Sequence, residues 1–157
     1  MKDGFIKVAA ASPMIKVADT EYNAGKVIEC MKKAADKGVK LLVFPELTLT
    51  GCSCYDLIGH SVILRGAERA LERVIEASAG NDMLVIVGLP YAPRGGALYS
   101  VAAVISDGEL LGLVPRSETD GTLFAAADDE GGEETVCGKF DAFFDTELLF
   151  TSDVLPG

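Results

Sequence analysis

The chain has 157 residues, with 14 Lys+Arg against 24 Asp+Glu and a formal net charge of −10. Length and a 49% hydrophobic composition fit one globular domain with a sizeable core and exclude disorder throughout. An acidic chain with pI near 4.5 lacks the basic patch a nucleic-acid binder needs, no apolar run reaches the roughly 18 residues of a membrane helix, and the interrupted N-terminal run is no secretory signal, so a cytoplasmic protein is expected.

In chain order, Phe5–Ser12 is apolar and compatible with a strand that Pro13 ends. Asp19 is placed to cap a helix running to about Lys37, with Ala24, Val27, Ile28, Met31, Ala34 and Ala35 on one face. Gly38 would follow its last turn, where Lys32 and Lys33 suit the negative end of the helix dipole. The run VKLLVFPE reads as a strand buried on both faces. Residues 49–60 read as a loop. A second helix from about Ser61 to Ser78 carries a stripe of Ile63, Ala67, Ala70, Leu71, Val74 and Ile75. Met83–Leu89 is another buried strand. Leu98–Ile105 and Glu109–Val114 form two strands joined at Ser106-Asp107-Gly108, with positive φ expected at the glycine. Residues 117–135 read as a loop, and Ala142–Phe150 as one further strand.

Charge supplies the only compositional boundary. Residues 1–116 hold 13 basic and 13 acidic residues; residues 117–157 hold one base, Lys139, and 11 acids, so all of the net −10 lies in the last 41 positions. The reading is a single α/β domain with a mixed sheet, divided into a portion 1–116 and an acidic segment 117–157. The acids of 117–135 lack the alternating order of a calcium loop, and a solvated acidic loop is the expected role.

Glu46 is the first candidate for chemistry. It follows an apolar strand at the end where α/β proteins place their sites, and desolvation there would suit a carboxylate to general-base work; a surface cap is the plainer alternative. Arg116 follows the strand LLGLVP and could set a fixed positive charge near Glu46 to stabilise an oxyanion, or simply pair with surface acids. Cys30 reads as a small core residue. Cys52 and Cys54 form C-x-C ahead of the lone His60, a spacing that matches zinc sites poorly. Cys137 lies beside acidic residues that would hold its thiol protonated, which argues against a nucleophile.

The run VFPELTLTG resembles the first catalytic motif of the nitrilase (carbon–nitrogen hydrolase) superfamily. MKDGFIKVAAASP, DMLVIVGLP, ALYSVAAVISDGELLGLVPR and ELLF extend the resemblance toward the N-terminal glutaminase domains of glutamine-hydrolysing NAD+ synthetases, closely over 1–116 and weakly over 117–157. What this resemblance implies is an α-β-β-α sandwich, represented here by a part with helices on one face, and a Glu-Lys-Cys triad that attacks the glutamine amide through a thioester and releases ammonia. The family glutamate falls on Glu46 and the family lysine on Arg116. Cys52 stands where those synthetases carry an aromatic residue, a substrate-binding position. The nucleophilic cysteine of the family follows the LLF segment, and this sequence stops at Gly157, about where that strand should begin. The resemblance implies no cofactor in this portion, with ATP and magnesium belonging to the separate synthetase domain of the family.

Three expectations follow: a portion of a glutaminase domain without its hydrolysis, with glutamine as the implied ligand; a non-catalytic interaction protein that forms a homo-oligomer through an uncovered sheet face; or a hydrolase whose nucleophile has moved to Cys52, Cys54 or Cys137.

Overall fold

A computed structural model describes residues 5–93, 96–119, 121, 123–127 and 132–146. Its elements are β1 (Val8–Ala10), α1 (Thr20–Ala35), β2 (Leu41–Val43), a 3₁₀ segment (Cys52–Gly59), α2 (Ser61–Ser78), β3 (Leu84–Tyr91), β4 (Tyr99–Ser106), β5 (Glu109–Pro115), β6 (Gly132–Val136) and β7 (Phe140–Phe144).

The two helices form where the apolar spacing places them. The Asp19 carboxylate accepts the Tyr22 N–H at 3.0 Å, capping α1, and Gly38 lies just past its last turn with φ +68°. Val27 and Met31 of α1, and Leu71, Val74 and Ile75 of α2, are buried. One buried residue of α1 breaks the apolar pattern. Asn23 is fully enclosed because its side chain bonds the backbone of Lys16 twice, each at 2.8 Å, and the Leu49 carbonyl at 3.1 Å. It fastens two loops to the helix.

The seven strands of the described residues join one sheet in the order β1-β2-β3-β4-β5-β7-β6. The β1, β2 and β3 strands are parallel, as the intervening helices require, and β3, β4 and β5 form an antiparallel meander. The expected hairpin turn is present. Asp107 (φ +46°) and Gly108 (φ +81°) both take left-handed conformations, the geometry that suits the twist of the flanking strands. The turn docks on the end of α2: the Gly80 N–H donates to the Asp107 carboxylate at 2.7 Å, and the Gly108 N–H to Ser78 Oγ at 2.8 Å.

Strand alternation gives the sheet two unlike faces. Leu42, Val85, Val87, Leu89, Ala103 and Leu113 point into one core with both helices. The alternate positions Val8, Val43 and Phe143 face the other way and remain 59%, 36% and 58% exposed. The architecture is the expected mixed α/β sheet with helices on one face.

Four details differ from expectation. Residues 49–60 are not all loop, since Cys52–Gly59 coils into 3₁₀ turns, interrupted at Tyr55 with φ +46°. Part of 117–135 is strand β6, which pairs antiparallel with β7, while β7 pairs parallel with β5. The expected strand Ala142–Phe150 begins two residues earlier and ends at Phe144; positions 147–150 lie outside the described residues. The strand before Glu46 ends at Val43, so Glu46 sits in the turn that follows it. No helix among the described residues is long and apolar enough to cross a membrane.

Candidate functional site

The turn after β2 is shaped by what lies beneath it. At Gly88 of β3 a Cβ would come within 2.6 Å of the Leu47 nitrogen, 2.7 Å of the Pro45 oxygen and 2.8 Å of the Glu46 Cα. Only a residue without a side chain lets the 45–47 backbone lie so close to the sheet. The Leu49 N–H then bonds the Gly88 carbonyl at 3.2 Å. Within the turn, Leu47 adopts φ +53° and Thr48 Oγ1 donates to the Pro45 carbonyl at 2.6 Å. The Ala18 N–H reaches the Thr50 carbonyl at 2.8 Å and closes the loop from the other side. A tightly bonded loop thus projects one carboxylate, Glu46.

Arg116 comes from the end of β5, two strands away from β3. Its Nη1 lies 3.5 Å from Glu46 Oε1. At that separation the two form an ion pair rather than a good hydrogen bond. Half of each side chain is exposed, so the pair contributes little to stability, and its interest lies in where it puts the charges. The expectation of a desolvated Glu46 is not met, because the carboxylate stands at the surface of the loop. The juxtaposition of Glu46 with Arg116 is met.

A third residue, absent from the sequence expectations, completes the cluster. Ser100 of β4 is buried, and its hydroxyl donates to Glu46 Oε1 at 2.6 Å. A serine inside an apolar strand carries no sequence signal of such a role. Its meaning depends on β4 lying in register with β3, where Ser100 faces Pro90, beside the glycine that admits the Glu46 loop.

The segment after Arg116 returns to this end of the sheet. The Ala127 N–H donates to the Arg116 carbonyl at 3.2 Å, and the Ala125 N–H to the Leu98 carbonyl at 2.8 Å. Phe124 packs on a small cluster of Leu47, Cys54 and Ile58. Residues 124–127 of the acidic segment are therefore fastened beside the site, with Phe124 as an apolar anchor.

The four cysteines are free and lie apart in function. Cys52 opens the 3₁₀ segment and is exposed. Cys54 is buried, its thiol donates to the Thr50 carbonyl at 3.1 Å, and burial raises its pKa. Cys30 is a half-buried residue packed against the main core. Cys137 donates to the Glu68 carbonyl at 3.3 Å. Its pKa is pushed up to about 11, first by burial and then by the charges of Glu68 and Glu72. The carboxylates that hold it protonated come from α2 and not from the acidic segment, where they were expected. No hydrogen bond among the described residues joins a cysteine to Glu46 or Arg116. His60 is exposed and forms the N-cap of α2 through its backbone. Among the described residues no group of three or more His, Cys, Asp or Glu is arranged to hold a metal ion.

A separate cavity of about 740 Å³ opens on the helix side of the sheet, lined by Glu68, Glu72, Tyr91, Glu134 and Cys137 among others. Burial, and then the charges of Glu134 and Glu68, raise the Tyr91 hydroxyl to about 12. None of Glu46, Ser100 and Arg116 lines it.

The family model of the carbon-nitrogen hydrolases matches residues 7–138. The chain belongs to the carbon-nitrogen hydrolase family. It is homologous to the N-terminal region of glutamine-dependent NAD(+) synthetases. The enzyme of Mycobacterium tuberculosis is 35% identical over 161 residues, covering 98% of this chain and 23% of that protein. The one from Aquifex aeolicus is 35% identical over 100 residues, covering 64% of this chain and 17% of its own length. The chain thus spans about a quarter or less of these relatives. Among solved structures, a glutamine-dependent NAD(+) synthetase from Cytophaga hutchinsonii superposes with a TM-score of 0.82 at 20% identity, over 94% of this chain and 26% of that one. An amidase from Nesterenkonia matches with a TM-score of 0.64 at 16% identity, over 87% of this chain and 53% of the amidase. Both likenesses are of fold. In this carbon-nitrogen hydrolase chain, the sheet with helices on one face is the part of the fold that those proteins share with it.

Proposed function

We propose that the chain serves as the N-terminal half of a glutamine amide-hydrolysing unit of the NAD+-synthetase type, and that by itself it does not hydrolyse glutamine. The observation that carries this is the meeting of Glu46 and Arg116 at 3.5 Å, one from the turn after β2 and the other from the end of β5. Glu46 is the general base and Arg116 stands in for a lysine as the fixed cation. In that chemistry a thiol gives its proton to the carboxylate and attacks the amide carbon. The tetrahedral adduct collapses to a thioester as its C–N bond breaks, the nitrogen leaving as ammonia with the returned proton, and water then cleaves the thioester to glutamate and the free thiol. No thiol of the described residues is bonded to Glu46 or Arg116, so the carboxylate has no nucleophile to activate here. Arginine at this position differs from lysine in presenting a planar fork rather than a point charge, which changes how an oxyanion would be met. Cys52, at the rim of the loop, is the residue we assign to the substrate side. On the same reading, ATP and magnesium act in a part of the synthetases beyond the quarter matched here, and the compartment is the cytoplasm, in keeping with four unbonded cysteines.

The test uses the purified chain and glutamine. Millimolar glutamine is expected to shift the amide resonances of residues 45–51 and 116, and Glu46→Gln is expected to weaken that response. Ammonia is expected to stay at the level of a no-protein control. Release at rates typical of a glutaminase would overturn inactivity; absence of any resonance shift would overturn glutamine recognition.

A specific observation favours a second property. Val8, Val43 and Phe143 leave one sheet face apolar and exposed, and the Nesterenkonia amidase has about as much chain again as the part matched here. In isolation that face pairs with a second copy of the chain, sheet on sheet. A compact monomer by light scattering at high micromolar concentration would remove this reading.

A further inference from the structure

Ser100 touches both members of the candidate site in different ways. Its side chain reaches the carboxylate of Glu46 at 2.6 Å, across 54 residues of sequence. Its backbone carbonyl accepts the N–H of Arg116 at 2.9 Å. One strand residue therefore fixes the base through its hydroxyl and the cation through its main chain.

The contacts also have a direction. Ser100 Oγ and Arg116 Nη1 both converge on Oε1 of Glu46. Neither the hydrogen bonds nor the ion pairs of the described residues include a partner for Oε2. A glutamate on a half-exposed turn has three rotatable bonds and would otherwise sample many rotamers. A buried serine has a single heavy-atom torsion, is itself fixed by packing, and has one proton to donate. That proton goes to Glu46 and to no backbone carbonyl.

We propose that Ser100 is a positioning residue. It commits Oε1 of Glu46 to a buried hydroxyl and to Arg116, and so turns Oε2 outward as the oxygen that takes up a proton. The geometric part of this stands without any reaction; its use in proton transfer rests on the amide-hydrolysing reading above.

The experiment is NMR on chains carrying ¹³C-labelled glutamate, with Glu46→Gln assigning the Glu46 signals. Three-bond couplings are expected to report one χ1/χ2 rotamer for Glu46 in the unaltered chain. Ser100→Ala is expected to lose that pattern and give averaged couplings, and Ser100→Thr, which keeps the hydroxyl, to recover it. Ser100→Cys preserves volume with a much weaker donor and carries the test should the alanine variant not fold. A merely structural serine would change the melting temperature without moving the Glu46 couplings, and unchanged couplings in the alanine or cysteine variant overturn the proposal. A glutamine titration of the same samples separates the two levels. Loss of one hydrogen bond to a charged group corresponds to about tenfold weaker glutamine binding in Ser100→Ala. If the unaltered chain ignores glutamine while the couplings respond as expected, positioning stands and the amide reading falls.

Discussion

The two faces of the sheet are built from the same kinds of residue and meet different fates. On the helix side, alternate residues of β2, β3, β4 and β5 are sealed under α1 and α2. On the other side many of the intervening residues are also apolar; the loop carrying Glu46 lies over β3, while Val8 and Phe143 stay more than half exposed. An apolar residue therefore stabilises this chain only where something covers it, and the candidate site lies where the Glu46 loop covers the second face.

That contrast can be broken by substitution. Leu71→Ala, on the sealed side, removes a fully buried side chain and is expected to lower stability by about 2–5 kcal/mol in chemical denaturation. Phe143→Ser, on the bare side, is expected to change it by about 1 kcal/mol or less, while reducing the concentration dependence of the sedimentation profile. Equal losses from the two would mean that the second face is packed in solution as well.

Gly88→Ala probes the covered patch. The added methyl meets backbone atoms of Pro45 and Leu47, not a flexible side chain, so the loop must move. A loss of about 1–3 kcal/mol is expected, together with shifted resonances across 45–51 and a broken Ser100–Glu46 contact.

Alkaline titration probes the helix side. The folded thiol of Cys137, at about 11, and the folded Tyr91 hydroxyl, at about 12, both lie above their ordinary values. As pH rises past 9, the unfolded thiol gives up its proton while the folded one keeps it, and tyrosine follows past 10. Stability is then expected to fall progressively up to about pH 12, with no contribution from either group below pH 8. Cys137→Ala should flatten the part of the curve between 9 and 11. The smallest effect expected is that of Lys139→Ala. It removes a solvent-screened ion pair with Glu72 and should change stability little, less still in high salt.

The fold was legible where apolar runs and turn residues agree. The runs at 39–44 and 83–89 read as strands and are strands, although β2 is not buried on both faces as expected, since Val43 is exposed on the bare face, and Asp107-Gly108 between two alternating segments forms the expected hairpin turn. β6 was not legible: within Gly132–Val136 only Val136 is buried, and two adjacent glutamates hide the alternation. The 3₁₀ turns at Cys52–Gly59 follow no apolar period, and Tyr55 holds a backbone conformation that sequence preference disfavours. At the site, Glu46 and Arg116 announced themselves by standing at strand ends after proline. Ser100 did not, because its role comes from strand register and from the missing side chain at Gly88, which are properties of the assembled sheet.

The mixed strand order has a consequence for how the chain comes together. The β3–β4–β5 meander closes through short connections, whereas β1 with β2 and β2 with β3 must each wait for a whole helical crossover. Early pairing is cheapest in the meander, since loop-closure entropy grows with the length enclosed. A chain leaving the ribosome N-terminus first therefore exposes an unpaired edge of β2 until β3 arrives, and β3 is the strand whose synthesis ends that vulnerable interval.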